Sequence, residues 1–186
     1  MTLTTLDARP ALVVIDLQKG ITGVPVVHPI DDVIERSARL AAAFRRHGLP
    51  VVLVNVTGGA PGRTELSRPA FTPPPGWADI VEDLDQQPDD LLVTKQTWGA
   101  FHGTPLDALL RDRGVTQIVL TGVSTSAGVE STARAAYEHG YHVVLVTDAM
   151  TDRDGDAHEN SVRRIFPKLG ETATTDDVLA MLDKTR

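Results

Sequence analysis

The chain has 186 residues, 41% hydrophobic and 23% charged, with a formal net charge of -7 and no cysteine. That length and balance fit one globular domain over residues 1–186 with a sizeable core; the acidity argues against a nucleic-acid partner, because phosphate backbones select clustered Lys and Arg, and the missing thiols exclude disulfides, thiolate metal sites and every cysteine-dependent catalytic scheme. The opening MTLTTLDARP lacks a basic segment followed by an apolar one, and no apolar run approaches the ~20 residues of a membrane span, so a soluble, cytoplasmic protein without a membrane partner is expected.

Short apolar runs alternate with segments of helical period. ALVVI (11–15) reads as a strand ended by Asp16, after which Val33, Ile34, Leu40, Ala41 and Phe44 recur as on one face of a helix. VVLVNV (51–56) is a second strand. Residues 57–90, with GGAPG, SRPAFTPPPGW and an acidic tract, are too long for a simple connector; such loops serve as lids, binding loops or subunit contacts, or are disordered. LLVT (91–94) is the third strand. Thr104-Pro105-x-Asp107 then supplies an N-cap hydroxyl, a proline for the first helical position and an acid for the first turn, which predicts a helix over 105–113 with Leu106, Leu109 and Leu110 inward. TQIVLTGV (116–123) is the fourth strand, turning abruptly into a helix that starts near Ser126 and ends by Gly140, with Val129, Thr132, Ala133, Ala136 and Tyr137 as its apolar stripe. HVVLVT (142–147) is the fifth, and helical patterns over 157–166 and 175–182 flank a short sixth strand over 171–174. The first five strands read as buried on both faces, as parallel strands covered by helices are. The alternation predicts an α/β fold, a three-layer α/β/α sandwich around a parallel sheet.

In open α/β sheets ligands bind beyond the carboxyl ends of the strands. Asp16, Lys95 and the turn from Ser124 to Gly128 occupy such ends. A buried acid beside a lysine can serve as general acid or base, its pKa raised by desolvation and lowered by the ammonium. Taken singly, the Asp is as well explained as a turn residue and the Lys as a solvated charge. Ser124, Thr125 and Ser126 read as helix caps or substrate hydrogen-bonding groups: no histidine is placed in sequence to activate them, and no Gly-x-Ser-x-Gly elbow surrounds them. His102 and His158 read as structural hydrogen-bonding residues. No compact metal-ligand spacing is present, so neither a metal nor another cofactor is expected.

The stretches ALVVIDLQKG, VTKQTWGAFHGTPLDALLRDRG and IVLTGVSTSAGVESTARAAYEHGYHVVLVTDAMTD, in this order and spacing, closely resemble the isochorismatase-like hydrolases, a superfamily that includes nicotinamidases and other amidases. The resemblance implies a six-stranded Rossmann-like sheet of order 3-2-1-4-5-6, a site between strands one and four, a cis peptide before Ser124 and a homo-oligomer acting on a small molecule. In most of that superfamily the site is an Asp, a Lys and a nucleophilic Cys; the matching positions here are Asp16, Lys95 and Gly128. Glycine at the third position resembles true isochorismatases, which cleave a vinyl ether to pyruvate and a dihydrodiol and need no covalent attack. In that reading Asp16 is the proton donor and Lys95 positions it. The pocket departs from that pattern at Thr97, Trp98 and Ser124, while Arg68 in RTELSR resembles, by its Thr-Glu-x-x-Arg spacing, an arginine that isochorismatases use for a carboxylate.

The expected site is thus Asp16 and Lys95 for catalysis, with Gln18, Arg68, Trp98, Phe101, Ser124, Thr125 and Gly128 contacting substrate and the 57–90 excursion adding Arg68 or Trp77, or closing the site of a neighbouring subunit. Two other readings stand beside it. One is an inactive relative that binds a partner and keeps Asp16 and Lys95 as a structural ion pair. The other is an amide hydrolase with Ser126 as substitute nucleophile.

Overall fold

The computed structural model describes residues 3–66 and 72–185. Its centre is a six-stranded sheet of order β3-β2-β1-β4-β5-β6 in which every neighbouring pair is parallel. The strands are β1 (Pro10–Ile15), β2 (Val51–Val56), β3 (Leu91–Lys95), β4 (Gln117–Val123), β5 (His142–Thr151) and β6 (Glu171–Ala173). On one face, α2 (Ile30–Arg46) and α6 (Thr175–Thr185) cover Leu12, Val14, Leu53, Val119 and Val144. On the other, α3 (Leu106–Arg111) and α4 (Glu130–Glu138) cover Val13, Ile15, Val54, Ile118 and Leu120. The expected three-layer sandwich and strand order are both present.

Helix α2 shows why these elements form. Asp31 and Asp32 occupy its first turn and Arg45 and Arg46 its last, each complementing the helix dipole, and no side chain caps its N-terminus. Its buried stripe includes Val33, Ile34, Leu40, Ala41 and Phe44, as the period predicted. Burying a side chain such as Phe44 or Leu40 contributes about 1.5–3 kcal/mol, so the helix is held by packing more than by its ends.

Three differences from the sequence reading have physical causes. Strand β3 is not buried on both faces: Leu92 is 49% exposed and Thr94 is exposed, because β3 lies at the sheet edge and only the face carrying Val93 is covered. Strand β5 runs to Thr151, past Asp148, with a register shift that pairs Leu145 with Leu120 but Met150 with Gly122. The polar Thr147-Asp148 pair falls in that irregular stretch, which ended the apolar run early in the sequence. Pro105 precedes α3 instead of opening it, while the Thr104 hydroxyl still accepts the Leu106 N–H at 3.3 Å.

The described part of the 57–90 excursion is tied to the body. Residues 77–81 run antiparallel to the stretch after β1: Gly20 N donates to Trp77 O, Lys19 N to Asp79 O and Val81 N to Leu17 O, with a bridge between Gln18 and Ile80. Further on, Arg45 grips Asp90 through two bonds of 3.1 and 2.6 Å and also reaches Leu84 O. Gly20, in the short helix α1 (Lys19–Thr22), is the seat of the Trp77 indole; a Cβ at this position would overlap the ring. Gly20→Ala is therefore expected to lift Trp77 and cost about 1–3 kcal/mol of stability, the usual penalty for overpacking. Urea unfolding and the tryptophan emission maximum test this; an unshifted spectrum with unchanged stability would show that the ring is not seated there.

Candidate active site

The site forms at the carboxyl ends of β1 and β4, the adjacent strands at which the strand order reverses, as the crevice rule requires. Asp16 follows β1 directly, its N–H donating to Val54 O at 2.9 Å and its φ at 53°. Positive φ is uncommon for a residue with a side chain and turns the carboxylate out of the alternation of the strand. Lys95 ends β3, on the same face as Val93. Residues separated by 79 positions meet here: Lys95 Nζ donates to Asp16 Oδ2 at 2.8 Å, with Asp16 6% and Lys95 2% exposed.

Lys95 Nζ has a second acceptor, Thr97 O, at 3.1 Å. Asp16 Oδ1 is buried and has no hydrogen-bond partner. An orphaned acceptor of this kind costs about 1–3 kcal/mol in an interior and is the feature that most needs a functional reason. Burial raises the Asp16 pKa, and the charge and hydrogen bond of Lys95 lower it; burial prevails, leaving it at about 6. The carboxyl can therefore hold or release a proton near neutrality, as a general acid or base must.

The turn after β4 forms the opposite wall. It follows a cis peptide between Val123 and Ser124 and is wound as a π-helical stretch, Thr125–Val129, that runs into α4. Gly128 lies against the pair: a Cβ there would stand 3.3 Å from Asp16 Oδ2 and 3.0 Å from Ile15 Cγ2. The absent side chain thus lets the turn pack directly against the carboxyl. Thr132 stitches this wall to the lysine loop, its hydroxyl donating to Gly128 O at 2.7 Å and accepting from Ala100 N at 3.0 Å.

The other residues of the expected site divide. Ser124 follows the cis bond, and its carbonyl accepts from Ala127 N and Val129 N. Trp98 stands 58% exposed beyond the Thr97 carbonyl that holds Lys95. Gln18 is fully buried and its amide is committed to the backbone, with Nε2 on Val56 O at 3.0 Å and Trp77 O at 3.3 Å and Oε1 on Val56 N at 2.7 Å. It clamps the excursion instead of facing the crevice. Phe101 points into the core, stacked on His139 at 5.1 Å and tilted on Tyr141 at 5.8 Å. The Thr125 hydroxyl is buried and bonded to His158 Nδ1 at 2.9 Å, so it caps no helix. Arg68 lies outside the described residues.

Sequence reasoning took Thr97 only as a departure from the isochorismatase pattern and Thr132 only as part of a helix's apolar stripe, and gave Asp152 no role. Asp152 ends β5 much as Asp16 ends β1, and accepts the Ser126 N–H at 2.7 Å. Reading the fifth strand past Asp148 would have exposed that parallel. His158 does make the hydrogen bond expected of it, whereas His102 lies exposed. No group of three His, Cys, Asp or Glu side chains among the described residues is arranged to hold a metal ion, and no helix among them is long and apolar enough to cross a membrane.

Comparison with known proteins places this geometry in context. A model of the isochorismatase domain matches residues 10–177. The chain is 41% identical over 181 residues to the uncharacterized isochorismatase family protein YwoC of Bacillus subtilis, covering 92% of this chain and 93% of that one. It is 31% identical over 185 residues to maleamate amidohydrolase of Pseudomonas putida, covering 94% and 87%. Among solved structures, an isochorismatase family protein of Burkholderia thailandensis superposes with a TM-score of 0.93 at 45% identity, covering 96% of this chain and 98% of the other.

Proposed function

The chain belongs to the isochorismatase family, a family of hydrolases, and on that premise we propose that it hydrolyses a small metabolite without a covalent intermediate, with Asp16 as general acid. The observation that carries the reading is the buried Asp16–Lys95 pair packed against Gly128, where a carboxyl held at a pKa of about 6 faces a position with no side chain to act as nucleophile. An enol ether is the substrate class that suits this arrangement. Protonation of its methylene carbon by Asp16 gives an oxocarbenium ion; water adds to that ion and returns a proton to the carboxylate; the hemiketal then collapses to a ketone and an alcohol. With isochorismate the products are pyruvate and a dihydrodiol. Lys95 keeps the carboxylate in place and balances its charge once the proton has left.

Amide hydrolysis is the second reading, favoured by the likeness to maleamate amidohydrolase. With no cysteine in the chain, it requires direct attack by water or by Ser124 or Ser126. The engagement of Thr125 with His158 weighs against that hydroxyl as nucleophile.

The two readings make opposite demands on Asp16. As general acid it must be protonated, so kcat/KM for isochorismate, followed by pyruvate release, should be level below pH 6 and fall about tenfold per unit above it. As a base it must be ionised, and the rate would rise through the same range. Intact mass after rapid quench provides the second readout: an adduct on a serine, or hydrolysis of maleamate without pyruvate release from isochorismate, would replace the first reading with the second.

A further inference from the structure

Two consecutive residues of the π-helical turn are held from outside the crevice by side chains of the β5–α5 unit, where α5 is Gly155–Asn160. Thr125 Oγ1 meets His158 Nδ1 at 2.9 Å, both side chains buried. Ser126 N donates to Asp152 Oδ2 at 2.7 Å, while Asp152 Oδ1 accepts from Arg153 N at 2.7 Å. The loop that sets Asp152 also sets His158, because Asp154 caps α5 through Ala157 N at 3.0 Å. On its far side His158 meets His28 edge-on at 4.7 Å, and His28 Nδ1 is in turn 3.1 Å from Thr151 Oγ1. Burial and the neighbouring His28 push the His158 pKa down, against the opposing pull of Glu159 and Asp152, which favours the neutral ring. A buried imidazole and a buried carboxylate cost desolvation that apolar residues in their places would avoid. What they obtain is a fixed turn.

The position of that turn matters because it is the wall that keeps water from Asp16. Gly128 lies three residues beyond Thr125 in the same π stretch, packed so close to the Asp16 carboxyl that even a Cβ there would stand only 3.3 Å from Oδ2. A wall that drifts outward admits water to the carboxyl, and a hydrated carboxyl is a stronger acid that holds its proton over a lower pH range. We propose that His158 and Asp152 are positioning residues for Asp16, acting on it through Thr125 and Ser126 by holding the turn closed over the carboxyl without touching substrate. The inference rests on the reading of Asp16 as the group that delivers the proton.

The test is the titration of the Asp16 carboxyl, observed by 13C NMR in protein labelled at aspartate Cγ and identified by the signal missing from Asp16→Asn. It needs no substrate. Thr125→Val keeps the shape of the side chain and removes the hydroxyl; His158→Ala removes the ring. Each is expected to move the Asp16 midpoint from about 6 toward its ordinary value by at least about one pH unit. His158→Asn, which places a polar atom near the position of Nδ1, should restore at least half of that shift. Midpoints within about 0.3 unit of wild type in both variants, even with a lower melting temperature, would reduce His158 to a packing role and overturn the proposal. Should Thr125→Val not fold, Asp152→Asn carries the same measurement with the same two outcomes. The outcomes also separate this inference from the reading beneath it. Shifted midpoints in an enzyme that releases no pyruvate from isochorismate would retain the clamp and discard the enol-ether reaction, whereas unchanged midpoints with pyruvate release would do the reverse.

Discussion

Replacing Asp16 with asparagine is expected to reduce turnover of isochorismate by about 100-fold or more while leaving ligand binding nearly unchanged, the pattern of a group that acts only in the transition state. Asparagine preserves the shape of the side chain and can present an oxygen to Lys95 Nζ in place of the 2.8 Å contact with Oδ2. It cannot deliver an acidic proton. Steady-state rates supply kcat, and isothermal titration with a non-hydrolysable ether analogue supplies the affinity. Full activity in the variant would remove Asp16 from the mechanism.

The second large effect is on stability. Lys95→Met removes the Nζ that binds Asp16 Oδ2 and Thr97 O while keeping most of the buried alkyl chain. Breaking one side of a buried ion pair costs about 3–5 kcal/mol when the remaining charge has nowhere to go. Here the remaining charge can be neutralised by a proton. Burial already raises the Asp16 pKa from 3.8 to about 6 against the pull of Lys95, and without the ammonium it rises further. A carboxyl whose folded pKa lies above its unfolded value contributes stability that is complete below about 3.8 and is lost as pH rises through the folded value. The deficit of Lys95→Met relative to wild type should accordingly be small near pH 4 and grow to its full size by pH 8. Urea unfolding at the two pH values measures it. Equal deficits at both would mean that Asp16 does not take up the proton.

The sequence made Asp16 and Lys95 legible because each ends an apolar run, and a run that pairs in a parallel sheet delivers its last residue to one edge. Gly128 was legible through the resemblance of TGVSTSAGV to a motif with cysteine at that position. Side-chain direction was not. Thr125 was read as a helix cap or a substrate hydrogen-bonding group, but the turn is π-wound, with one more residue between bonded groups, so the face on which its hydroxyl falls does not follow from an α-helical start. Phe101 stands in the segment after Lys95 and shares its neighbourhood in sequence, yet the ring packs against His139 and Tyr141. Gln18 lies two residues from Asp16, and its commitment to Val56 and Trp77 depends on a segment almost sixty residues away. Such long-range partners are settled by packing, on which a local pattern carries no information.

The amide of Gln18 holds Val56 O and Trp77 O on one nitrogen, and so ties the two ends of the intervening stretch together at its base. That brings the two ends of the stretch to one point. Because the entropy of closing a loop grows only with the logarithm of its length, doubling it costs about 0.6 kcal/mol, less than the loss of one ordinary hydrogen bond. A few residues inserted beyond Thr57, whose N–H is bonded to Lys95 O, are therefore expected to cost little stability and to leave the Asp16–Lys95 pair in place, which urea unfolding of a lengthened variant would check.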